Sequence, residues 1–84
     1  MNAEILEISE KMKSKYGGDL YYIFFKTEDG KSFKTCVATS MRNFITWKRV
    51  IVDKMIGAKL GGLRIKSGNV IDADSRIFLI KQGG

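Results

Sequence analysis

Leu20-Tyr21-Tyr22-Ile23-Phe24-Phe25-Lys26-Thr27-Glu28-Asp29-Gly30-Lys31-Ser32-Phe33-Lys34-Thr35-Cys36-Val37 carries the strongest structural signal in the chain. Two runs dense in aromatic and β-branched residues flank a polar Glu28-Asp29-Gly30-Lys31 segment, the pattern of a β-hairpin. Asp-Gly marks the turn, because glycine accepts the positive φ that a tight connection needs. The turn type then decides the faces. A two-residue turn sets Lys26 opposite Phe33 and mixes charge with apolar groups. A type I turn with Gly30 as a bulge residue pairs Thr27 with Lys31 and Phe25 with Phe33. Tyr21, Ile23, Phe25, Phe33, Thr35 and Val37 then share one face, and Tyr22, Phe24, Lys26, Ser32, Lys34 and Cys36 the other. This second register separates apolar from basic side chains better and is preferred. A one-residue slip would reverse the faces and turn Tyr21 and Phe25 outward.

Before the hairpin, residues 4–15 fit two patterns. Ile5, Ile8 and Met12 fall at helical spacing, whereas Leu6, Ile8 and Met12 share one side of a strand with Glu7, Ser9, Lys11 and Lys13 opposite. Tyr16-Gly17-Gly18-Asp19 reads as a loop. After the hairpin, Thr39-Ser40 offers N-cap residues. Phe44, Trp47, Ile51 and Met55 then recur at helical spacing, predicting a short helix from about Arg42 to Arg49. The β-branched run Val50-Ile51-Val52 argues against extending it. Lys59 to Lys66 predicts a strand bent at Gly61-Gly62, with Leu63 and Ile65 inward and Arg64 and Lys66 outward. Ser67-Gly68-Asn69 reads as a turn, and Arg76 to Lys81 as a last strand. The 84 residues form one domain, with no repeat or linker.

Five strands with a helix between the third and fourth is the order of the five-stranded Greek-key barrel called the OB-fold. Lys15-Tyr16-Gly17-Gly18, Tyr21 to Phe25, Asp29-Gly30-Lys31-Ser32 and Thr35-Cys36-Val37 resemble small OB-fold single-stranded DNA-binding proteins of phages and mobile elements. Arg42-Asn43-Phe44 with Trp47, and Ile71 to Ser75, add to that resemblance. It implies a mostly β, OB-like barrel over residues 1–84 that binds single-stranded DNA, or RNA, without a cofactor. Many such proteins carry an acidic C-terminal tail for partner recruitment. This chain ends Lys81-Gln82-Gly83-Gly84, so recruitment by such a tail is not expected. A weaker resemblance, to ubiquitin-like β-grasp (α+β) proteins, rests on Ile23 to Thr27, the Gly30-Lys31 turn and the terminal Gly-Gly. The twenty or so residues before the hairpin count against it.

Composition agrees with a polyanionic ligand. Lys and Arg number 15 against 9 Asp and Glu, a formal charge of +6 that also serves solubility. Single-strand binding needs a cationic groove and flat side chains on which bases stack. Tyr22 and Phe24 beside Lys26 and Lys34 supply both, Arg64 and Lys66 extend the groove, and Tyr16, Lys15 and Lys13 close it from the first loop. Trp47, on an apolar stripe, reads as a core plug. Asp72 and Asp74 read as a polar turn rather than a metal site, though Asp53 could approach them in space. Gly57 to Gly62 lacks the ending of a phosphate loop. Histidine is absent and Cys36 is the single cysteine, which removes the commonest general base and a zinc site. No catalysis, metal or cofactor is expected. The alternative function is a protein-interaction module: a phage-type inhibitor, an accessory subunit or a ubiquitin-like modifier. No signal peptide or membrane span is evident, so the cytoplasm of a native or infected cell is the expected compartment. An exposed strand edge would allow a homo-oligomer.

Overall fold

The computed structural model describes residues 1–15 and 17–80. The chain is mostly β, a strongly curled sheet wrapped around one core with one short helix. The elements in order are β1 (Ala3–Ile8), β2 (Met12–Lys13), β3 (Asp19–Lys26), β4 (Ser32–Ala38), α1 (Phe44–Val52), β5 (Lys59–Gly61), β6 (Ile65–Ser67), β7 (Val70–Ile71) and β8 (Phe78–Leu79). Neighbouring strands run β6-β7-β4-β3-β1-β5-β8, with β2 attached to β3.

The β3–β4 hairpin is the backbone of this sheet. Phe25 pairs with Phe33, Phe24 with Lys34 and Tyr22 with Cys36. The Thr27 N–H donates to the Lys31 carbonyl at 2.9 Å, and Gly30 sits at φ +86°. The bulged register is therefore the one adopted. Ile23, Phe25, Thr35 and Val37 are buried beneath the hairpin, while Tyr22 and Phe24 stay exposed.

Residues 3–8 take the strand alternative, with a change of phase. Ile5 pairs with Phe25 and Glu7 with Phe24, so Leu6 is an extra residue in a bulge. Ala3 and Ile5 are buried and Leu6 is exposed. The expected row of Leu6, Ile8 and Met12 is thus broken: only Ile8 of the three packs against the core.

The helix starts and ends two to three residues later than its sequence limits. Asn43 occupies the N-cap without a side-chain capping bond, in place of Thr39-Ser40. Val50 and Ile51 are buried, and that burial outweighs the low helix propensity of the β-branched run. Trp47 is fully enclosed, its ring tilted against Phe25 at 6.3 Å, and its indole N–H donates to the Ala73 carbonyl at 2.8 Å. The bent strand predicted for 59–66 is two short ones, β5 and β6, parted at residues 62–64. The last strand is confined to Phe78–Leu79. The sheet bends back through β7, which lies parallel to β4 with Val70 beside Lys34. β8 pairs with β5 and not with the hairpin, so a terminal strand running beside β3, as the β-grasp order requires, is not the arrangement found. Gly83-Gly84, on which that resemblance partly rested, lies outside the described residues. No helix among the described residues is long and apolar enough to cross a membrane.

Candidate nucleic-acid interface

In a strand, side chains alternate between faces, so Leu20, Tyr22, Phe24 and Lys26 point away from the core. Directly opposite residues of paired strands lie side by side on one face. Tyr22 therefore has Cys36 as its neighbour on β4, Phe24 has Lys34, and Lys26 has Ser32. Four of the expected site residues, Tyr22, Phe24, Lys26 and Lys34, form one contiguous patch. Tyr22 and Phe24 are exposed by 36% and 37%, so both are accessible to a ligand on this face. Among the described residues Lys26 and Lys34 form no ion pair.

The flanks of the patch differ in sign. On the β1 side, Glu4 lies opposite Lys26 and Glu7 opposite Phe24. On the other side come β7 and then β6, which carries Lys66. A polyanion crossing the rings meets two carboxylates toward β1, whose Coulomb repulsion disfavours that path, and toward β6 it meets Lys66, which has the Asp72 carboxylate within electrostatic reach. Arg64 is less free than expected. Its guanidinium donates to the Asp72 carboxylate at 2.6 Å. Lys13 also departs from expectation. It pairs with Asp19, whose side chain alternates away from Tyr22, so Lys13 lies on the opposite side of the sheet. Met12, opposite Leu20, takes the outward place instead and is exposed. Lys15 is exposed in the loop before β3, and Tyr16 lies outside the described residues.

Ser9 was not singled out in the sequence. Its hydroxyl accepts from the Tyr22 N–H at 2.8 Å, and its own N–H donates to the Tyr22 carbonyl at 2.8 Å. It ties the end of β1 to the backbone under the first ring. Cys36 is exposed, and its thiol is pushed above its ordinary pKa by partial burial, against a smaller opposing pull from the Tyr22 hydroxyl. That shift disfavours the thiolate, the reactive form of the group.

Asp72 organises the turn beyond β7. The Asp74 N–H donates to one carboxylate oxygen at 2.9 Å and Arg64 to the other, and both hold its pKa below the ordinary carboxylate value. A lowered folded-state pKa stabilises the fold above the unfolded-state value, and that contribution is lost as pH falls through the folded one. Asp72→Asn keeps an acceptor for the Asp74 N–H and removes the charge. The gap in Tm between the native chain and Asp72→Asn should be widest near neutral pH and close below about pH 4. A gap that persists unchanged in acid would mean that the charge of Asp72 contributes nothing.

The expected alternatives for the acidic residues do not assemble. Asp53 lies 3.8 Å from Arg49, and no group of three or more Asp, Glu or Cys able to hold a metal occurs among the described residues. A concavity of about 720 Å³ opens at the hairpin tip, between Lys26 at the end of the patch and Lys31, Lys59 and Ile65. Glu4, Glu28 and Asp29 line it too, with Glu28 3.5 Å from Lys59. Its balanced charge makes it a poor phosphate groove, so the outer face of the hairpin remains the better candidate. Comparison with known protein families, curated proteins and solved structures finds no match.

Proposed function

We propose that the chain is a small OB-type barrel that binds single-stranded nucleic acid, DNA before RNA, on the outer face of β3 and β4, without catalysis or cofactor. The observation that carries the reading is the exposed pair Tyr22 and Phe24 on one strand face, bordered by Lys26 and Lys34 with no ion pair among the described residues. Consecutive outward residues of a strand stand roughly 6–7 Å apart, a spacing that lets two unstacked bases lie on successive rings. The order of pairings favours the OB assignment. The first strand lies between the hairpin and β5, and the chain returns through β6 to a strand parallel to β4.

Fluorescence anisotropy with labelled oligo-dT, a duplex and single-stranded RNA at graded salt tests this. Lys15, Lys26, Lys34 and Lys66 neutralising one phosphate each give a log–log salt slope of roughly −3. Oligo-dT should bind well above duplex with that slope. No binding to any nucleic acid at low salt would sink the proposal.

A protein-interaction role is the second reading. Ile45 and Val52 on the outer side of α1, exposed by 79% and 66%, favour it. The two roles draw on different surfaces.

A further inference from the structure

The second surface lies between α1 and β8. On a helix, Ile45, Arg49 and Val52 follow one another at i, i+4 and i+7 and form one stripe. Burial of Trp47, Val50 and Ile51 on the other side fixes that stripe toward solvent. Beside it runs a groove of about 270 Å³ whose lining includes Arg49, Val50 and Met55 from the helical side and Leu60, Phe78 and Leu79 from the strands. Phe78 leaves 58% of its surface open. So small and open a groove falls below the ~300–1,000 Å³ of enclosed small-molecule pockets and suits the anchor side chain of a larger partner.

The backbone points to the same kind of occupant. β8 ends the strand order, paired with β5 on one side and with no strand on the other among the described residues. The Ile80 N–H donates to the Lys59 carbonyl at 3.0 Å, on the β5 side. By alternation, Leu79 turns its N–H and C=O toward the open side, where an added strand can bond them.

Charge selects the partner. Segments 41–56 and 74–80 hold Arg42, Lys48, Arg49, Lys54 and Arg76 against Asp53 and Asp74. A second copy docked about a two-fold axis would set this cationic surface against itself. A lipid surface would leave the Leu79 backbone groups without partners.

We propose that the α1–β8 groove receives an extended, acidic segment of a partner protein, added as a strand along β8. One of its apolar side chains sits between α1 and Phe78, and its carboxylates face Arg49 and Arg76. This surface is distinct from the nucleic-acid face, so the inference stands or falls independently of that reading.

Selection of random short peptides from a display library against the immobilised full chain tests it. The recovered peptides should interleave carboxylates with aliphatic or aromatic residues. A labelled copy of the most enriched peptide should lose about tenfold or more in affinity for Arg49→Glu and for Thr46→Glu, both lining the groove, and excess oligo-dT should not displace it. Both substitutions are at exposed positions, so circular dichroism should report an unchanged fold. No enrichment, enrichment without carboxylates, or displacement by oligo-dT would overturn the proposal. So would a dimer, or binding to anionic vesicles, that Arg49→Glu abolishes.

Discussion

Alanine at both Tyr22 and Phe24 is expected to reduce binding of oligo-dT to what the lysines alone supply while the fold survives. Base–aromatic stacking is worth about 1–3 kcal/mol per base, so each substitution should weaken binding roughly 5- to 150-fold. The two rings stand on one strand face and would hold successive bases of one ligand, so the double variant should fall to the affinity the lysines alone supply. Stability should change little, because both side chains lie outside the core formed by Ile23, Phe25 and Val37. Lys34→Ala makes a contrast. It leaves both rings and removes one phosphate contact, so binding should weaken with the salt slope shallower by about 0.7. Anisotropy titrations with thermal melts on the same samples separate the outcomes. Full binding by the double variant with a normal melt would place the nucleic acid elsewhere or nowhere.

This face was legible in the sequence because a turn and a pattern agreed. Asp29-Gly30 allowed two registers, and only the bulged one put Phe25 and Phe33 on one side and Lys26, Lys34 and Phe24 on the other. Where such agreement was lacking, the sequence was mute. Leu6 looks like part of an apolar alternation, but nothing local marks it as the extra residue of a bulge. That bulge answers to the register between β1 and β3, which is a tertiary property. Val50-Ile51-Val52 looks non-helical until the burial of Val50 and Ile51 in the core is known. β7 and β8 have two residues each, too few to carry a period. Charges were the hardest to read. Arg64 and Asp72 lie eight residues apart and meet across a turn, and Lys13 faces away because of where β2 pairs. Counting lysines therefore overstated the basic groove, and it hid the carboxylates Glu4 and Glu7 on its far side.

The bend between β5 and β6 makes the sharpest prediction about the fold. Gly61 and Gly62 look alike in sequence, but an added side chain meets a different obstacle at each. A Cβ on Gly61 would fall 2.5 Å from a ring atom of Phe78, a side chain that is itself more than half exposed and can swing. Gly62 has no such relief. It sits at φ +78°, and a Cβ there would lie 2.1 Å from the backbone carbonyl oxygen of Arg76. Left-handed backbone costs an alanine about 1–2 kcal/mol, and forcing two packed segments apart adds about 1–3 kcal/mol. A chain of this size has roughly 4–12 kcal/mol of stability in all. Gly62→Ala should therefore lower Tm by well over ten degrees, and in a chain near the lower limit it should unfold at room temperature. Gly30→Ala is the control. Gly30 also has positive φ, at +86°, but nothing lies within 4 Å of the added carbon, so only the backbone cost applies. Equal melting of the two variants would mean that the crossing of residue 62 with the segment before β8 yields to an added methyl group at no cost. A large gap would locate the closure of the curled sheet at that crossing.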